Sequence, residues 1–284
     1  MDHDPCTLLV TCPDRPGLVA SVAQFLAERG ANILHADQHI DHEKNLFLQR
    51  IQFFIDADGV ARVANEFDEV ASRFDMEWSL QAPHSRVRVA ILTSRESHCL
   101  ADLLSRWAID EMRNSELVLV ASNHPDHSFL ADHYGIPFHH VPVDPEDRNS
   151  HPSRIREICD NEEVDLVVLA RYMQIIPESM VIDYQNRIIN IHHSFLPAFA
   201  GAKPYHQAHT RGVKLIGATA HYVTTDLDEG PIIVQDVMRV SHRDGVPGLR
   251  QKGRDLEKVV LARAVRLHLE GRVLPYGNRT AVFD

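Results

Sequence analysis

Asn190 and His192 flank a single isoleucine, and Asp228-Glu229-Gly230-Pro231 follows after a second apolar run. An amide, an imidazole and a carboxylate thereby stand at the ends of two stretches, residues 187–191 and 213–222, that read as buried strands. Asparagine offers fixed N–H donors, histidine exchanges a proton near neutral pH, and aspartate can hold that histidine charged or move a proton itself. The set suits attack by an external nucleophile on a carbonyl: Asn190 and protonated His192 hold the developing oxyanion, Asp228 handles protons, and no serine or cysteine nucleophile is required. Acyl or formyl transfer is the reaction class this predicts. Taken singly, an Asn-x-His after a strand or an Asp-Glu-Gly-Pro is an ordinary turn. Their convergence at one sheet edge carries the argument.

The residues also carry a resemblance. Asn190-Ile191-His192-x-Ser194-x-Leu196-Pro197, followed by His221 and by Asp228-x-Gly230-Pro231, resembles the signature of the folate-dependent formyltransferase family, whose catalytic Asn, His and Asp fall on Asn190, His192 and Asp228. Leu169-Ala170-Arg171-Tyr172-Met173-Gln174-Ile175-Ile176-Pro177 is similar to the family's folate-lining segment. The resemblance implies that Met173, Gln174, Ile175 and Ile176, together with Val223, line a pterin pocket; by composition alone the apolar ones also read as plain core. It implies His221 as a support behind the catalytic groups. Tyr276-Gly277-Asn278-Arg279-Thr280 and the additional N-terminal domain narrow the resemblance to the branch that hydrolyses 10-formyltetrahydrofolate to formate and tetrahydrofolate. That branch implies a folate substrate, no cofactor, no metal, and formate supplied to purine synthesis while folate pools stay balanced. Two other classes stay open on the residues: transfer to an unphosphorylated amine, and a folate-binding regulatory protein.

The elements that must position these groups read as an α/β chain in two domains, residues 1–82 and 87–284, joined by a linker at 83–86. In the first, strands are expected at 7–11, 32–41, 46–56 and 76–80, with helices at 16–29 and 60–74. This βαββαβ order predicts a ferredoxin-like antiparallel sheet with helices on one face. Cys12-Pro13-Asp14-Arg15-Pro16-Gly17-Leu18-Val19 resembles the opening loop of ACT regulatory domains, which implies an amino-acid effector such as methionine or glycine at Asp14, Arg15, Gly17 and Leu18, and a homo-oligomer paired through sheet edges. The bare reading of that loop is a turn in which Pro16 starts a helix.

In the second domain, strands at 87–92, 117–121, 138–141, 164–169 and 187–191 alternate with helical stretches such as 99–111 and 154–161. The alternation predicts a doubly wound, mostly parallel sheet with its crevice at the carboxyl ends of the strands. Residues 213–224 and 231–240 are expected as a strand pair around Asp228. Residues 255–269 form an amphipathic helix with Leu256, Val259, Val260, Ala264 and Leu267 on its apolar face, read as packing and not chemistry.

Composition narrows the partners. A net charge of −11 without a Lys/Arg-rich run argues against nucleic acid. No apolar stretch approaches the length of a membrane span, and the N-terminus lacks a signal-peptide pattern. Cys6, Cys12, Cys99 and Cys159 have no CxxC spacing and read as reduced thiols, so the expected compartment is the cytoplasm. The histidines at 192, 193, 206, 209 and 221 invite a zinc reading, but no ligand-spaced Cys or carboxylate accompanies them. The turn Thr93-Ser94-Arg95-Glu96-Ser97-His98 has no glycine and includes an acid, which disfavours a phosphorylated acceptor and leaves water as the expected nucleophile.

Overall fold

A computed structural model describes residues 4–83, 85–147, 150–197 and 204–283. The chain divides into two compact units: residues 1–85 with 271–276 and 281–284, and residues 86–270 with 277–280. Of the expected linker, position 84 lies outside the described residues.

The first unit runs β1 (Cys6–Pro13), α1 (Leu18–Glu28), β2 (Asn32–Asp41), β3 (Leu46–Phe54), α2 (Ala57–Phe74) and β4 (Glu77–Gln81). Its antiparallel sheet has the order β2-β3-β1-β4. Helix α2 starts earlier than its apolar pattern because the Asp56 carboxylate accepts the Gly59 N–H at 2.7 Å, a side-chain cap. Val22, Phe25 and Leu26 of α1 and Val63 and Phe67 of α2 bury against Leu8, Val10, Ile51 and Phe53, with Phe25 and Phe67 edge to face at 5.2 Å. Strand alternation turns Leu9, Leu46 and Leu48 to the opposite face of that sheet. There they meet Leu274, Ala281 and Phe283 of a C-terminal hairpin, while Arg50 donates to the Gly271 carbonyl at 2.9 Å. The sequence reading placed everything from 87 onward in the second domain; the segments 271–276 and 281–284 instead group with the first unit, because a second apolar sheet face needs cover.

The second unit runs β5 (Val87–Thr93), α3 (His98–Ala108), β6 (Ser115–Ser122), α4 (Ser128–His133), β7 (Phe138–His140), α5 (Ser150–Asn161), β8 (Leu166–Ala170), α6 (Glu178–Asp183), β9 (Ile188–His192), α7 (Pro204–Arg211), β10 (Leu215–Tyr222), β11 (Ile232–Arg239) and α8 (Val246–Leu269). The hairpin β12 (Val273–Tyr276) and β13 (Arg279–Val282) ends the chain. The seven-stranded sheet has the order β11-β10-β9-β8-β5-β6-β7, parallel from β9 to β7 and antiparallel at β10 and β11. The chain winds outward through β6 and β7 and returns on the other side of β5, so the switch point lies between β5 and β8. Ser94, just past β5, accepts the backbone N–H of Met173, just past β8, at 3.0 Å and ties that opening together.

Helix α8 lies against β9, β10 and β11 and against α3. It begins at Val246, with Pro247 in its first turn, well before the expected 255. Leu256, Val260, Ala264 and Leu267 are buried as expected, but Val259 is 51% exposed and does not belong to the apolar face. Glu257 does, at 1% exposure.

Candidate active site

Strand alternation puts Asn190 and His192 on one face of β9, with Ile189 and Ile191 on the other. In the antiparallel partner β10, His221 stands directly opposite Asn190, next to a bulge between Ala220 and His221. The loop after β10 brings Asp228 back over this pair. Asp228 itself is left-handed at φ 59, and Gly230 passes so close to Tyr222 that a Cβ would fall 1.8 Å from its carbonyl oxygen. Only glycine fits there. The Tyr222 N–H then donates to the Pro231 carbonyl at 2.9 Å and the ladder resumes. Asp-x-Gly-Pro is thus a device for returning a carboxylate to the sheet edge.

Asp228 Oδ2 lies 3.2 Å from His192 Nδ1, and Oδ1 lies 3.7 Å from His221 Nε2. His221 Nδ1 donates to the Tyr222 carbonyl at 2.9 Å, which leaves Nε2 to accept from Asn190 Nδ2 at 3.2 Å. One N–H of the Asn190 amide remains for another acceptor. His192 is 8% exposed, and its Nε2 is buried without a hydrogen-bond partner among the described residues. The hydrogen bond from His192 Nδ1 is the first cause that holds the Asp228 carboxyl well below the usual carboxylate range, against a burial that pushes it up. It is a carboxylate at neutral pH.

A second set of groups backs His192. The His193 ring stacks on His192 with centroids 4.9 Å apart and planes at 16°. Arg171, the residue after β8, places Nη1 2.6 Å from His193 Nδ1 and Nε 3.4 Å from Glu257 Oε2. Glu257 also holds His98 Nε2 at 2.8 Å and the Tyr205 hydroxyl at 2.7 Å. Burial pushes its carboxyl up, but His98, Arg171 and Tyr205 together keep it below its ordinary value. Tyr205 lies against α8 where Gly253 leaves room: a Cβ there would fall 1.9 Å from the hydroxyl. A cavity of about 380 Å³ adjoins this cluster, lined by Glu96, Arg171, His193, Tyr205, Arg254 and Glu257 among others. The reading of α8 as packing alone is therefore corrected. A carboxylate three residues before Val260 and four before Leu261, within an apolar stripe, was the signal in the sequence.

The formyl transferase family model matches residues 87–265, and the ACT domain model matches residues 7–72. The chain belongs to the formyl transferase family. Over its full length it is 50% identical to a formyltetrahydrofolate deformylase of Synechocystis sp., also covered in full, and 47% identical to one of Bacillus subtilis, covered to 95%. The crystal structure of a formyltetrahydrofolate deformylase from Pseudomonas syringae superposes with a TM-score of 0.95 at 48% identity, covering 100% of this chain and 96% of that one.

Other expected residues of this formyl transferase family member are placed as follows. Met173 and Ile175 are exposed, Ile175 by 82%, and are not core. Gln174 is half-buried, while Ile176 and Val223 pack against the same buried cluster. Tyr172, a buried member of that cluster, is anchored by His151, whose Nε2 lies 2.5 Å from its hydroxyl and whose Nδ1 donates to the Val141 carbonyl at 2.8 Å. In the 93–98 turn, Glu96 is engaged by Arg254 at 2.6 Å. His206 and His209 are exposed on α7. Among the described residues one set of potential metal-ligand atoms lies close together, on His98, Cys99 and Glu257. Both Glu257 oxygens there already accept hydrogen bonds, and Arg171 adds a positive charge.

The proposed effector loop belongs to the first unit. Gly17 is left-handed at φ 96 and caps α1, the Asp14 N–H donates to the Asn45 carbonyl, and Arg15 pairs with Asp75 at 2.9 Å. Leu18 is 2% exposed and belongs to the core of that unit rather than to a ligand surface.

Proposed function

We propose that the chain hydrolyses 10-formyltetrahydrofolate to formate and tetrahydrofolate. One observation carries the mechanism: an ionised Asp228 seated on His192 Nδ1, with the buried Nε2 of His192 and one N–H of Asn190 left free among the described residues. Asp228 orients a water and takes its proton as the oxygen attacks the formyl carbon. Asn190 and doubly protonated His192 receive the negative charge that develops on the formyl oxygen, and His221 holds the Asn190 amide in place. The C–N bond then breaks, the proton passes to the departing nitrogen, and formate leaves. Met173, Gln174, Ile175, Ile176 and Val223 line the pterin site in this reading, with Met173 and Ile175 exposed as a ligand contact requires. No cofactor beyond the folate substrate takes part.

The names of relatives identical at 47–50% over nearly their whole length support the same reaction. The reading goes with formate supplied to purine synthesis and work in the cytoplasm on a small-molecule folate, and the ACT domain match adds an amino-acid effector on the first unit and a homo-oligomer. The deciding experiment incubates purified protein with 10-formyltetrahydrofolate alone and quantifies both products. Formate and tetrahydrofolate should appear at equal rates. A formylated amine, or a rate that depends on added glycinamide ribonucleotide, would move the chain to the transferases.

A further inference from the structure

Arg171 sits where the backbone disfavours a side chain. Its φ of 62 is left-handed, a region that residues other than glycine, asparagine and aspartate rarely enter and that clusters at functional sites. The guanidinium gives that placement a purpose. A guanidinium only donates hydrogen bonds, so with Arg171 Nη1 2.6 Å away, Nδ1 of His193 must be the unprotonated, accepting nitrogen of its ring.

His193 is also one half of a stacked pair with His192, and two imidazolium rings 4.9 Å apart oppose one another. Which ring carries the proton is decided by what faces each. His192 has the Asp228 carboxylate at Nδ1, with His221 on the other oxygen of that carboxylate. His193 has the Arg171 guanidinium at Nδ1, the Tyr205 ring of α7 at 6.2 Å, and Glu257 of α8 reaching it only through Arg171 and Tyr205. A negative charge on one side and a positive charge on the other sort the single proton.

We propose that Arg171 is a positioning residue for the reaction: held by Glu257, its guanidinium keeps Nδ1 of His193 free of a proton, and so keeps a positive charge off the ring stacked on His192. Burial, and after it Arg171, depress His193 to about 4, in the same direction. The inference rests on the hydrolase reading for its catalytic consequence, while the protonation of His193 stands apart from it.

The test follows the imidazole nitrogens of ligand-free, ¹⁵N-labelled protein by NMR across pH, with His193 assigned through His193→Gln, alongside kcat and KM for 10-formyltetrahydrofolate. Arg171→Gly accepts φ 62 without strain, so the fold is kept. In wild type, His193 should stay neutral at Nδ1 well below neutral pH. In Arg171→Gly, with burial still acting, it should titrate at a clearly higher pH than in wild type, and kcat at neutral pH should fall by about tenfold or more with KM little changed. Arg171→Lys, which keeps the charge, should hold His193 neutral and recover most of kcat. A His193 titration unmoved in Arg171→Gly, or a moved titration with kcat intact, overturns the proposal. If wild-type protein releases no formate while His193 behaves as described, the hydrolase reading fails and the proton sorting stands.

Discussion

Asp228→Asn keeps the shape of the side chain and some of its hydrogen bonding but cannot take a proton. Turnover should fall by about 10²–10⁴-fold while folate binding persists; a steady-state rate above about a tenth of wild type removes Asp228 from proton transfer. Asn190→Ala and His192→Ala each delete a donor aimed at the developing oxyanion. The expected loss is about 10²–10³-fold in kcat with a much smaller change in KM, and a loss confined to KM would make them recognition groups instead. These three residues were legible in the chain because strand alternation and a glycine-proline turn fix where they point. Glu257 left a signal as a carboxylate within an apolar stripe, but its pairing with Arg171, and that of Arg171 with His193, was not legible, because no local spacing reveals a pairing made only in the folded chain.

At the scale of elements, the long periodic runs were readable and the short ones were not. The sheet strands and α2 follow apolar patterns, whereas α4 and α6, of six residues each, span too few turns to show a period. Helix α8 starts at Val246, but Lys252, Gly253 and Arg254 interrupt its stripe, so the sequence showed a later start. Gly253 is there for Tyr205, and Gly230 plays the corresponding role in the Asp228 loop. Gly230→Ala would drive a methyl group into the Tyr222 carbonyl, a backbone atom that cannot swing aside. The loop must shift, at a cost of about 1–3 kcal/mol. A lowered melting temperature together with lost kcat is the expected result, and unchanged kinetics would show that the loop does not set the position of Asp228.

Across the whole molecule, buried histidines set the acid limit. His268, bonded through Nδ1 to the Tyr222 hydroxyl, and His193 are both depressed to about 4, and His151 is lowered as well, with burial the first cause in each. The unfolded chain takes up these protons from about pH 6.5 downward, the folded chain only at lower pH, near 4 for His193 and His268, so the unfolded state binds more protons in between. Stability should therefore fall as pH drops through that window and be insensitive to these groups above it. Asp228, a depressed carboxylate, adds a loss below about pH 4. Urea midpoints at pH 7.5, 6 and 5 should decline in that order; equal midpoints would mean that the three rings are already charged in the folded state.

The sheet face carrying Leu9, Leu46 and Leu48 is covered by Leu274, Ala281 and Phe283, residues made at the opposite end of synthesis. A ribosome therefore delivers the first unit's strands and helices early and its last layer of side chains only after the body of the second unit. While the second unit is being translated, that apolar face waits bare. Nascent chains halted before residue 270 should bind chaperones through it, and release should come with the emergence of residues 271–283, a timing that ties completion of the first unit to that of the second.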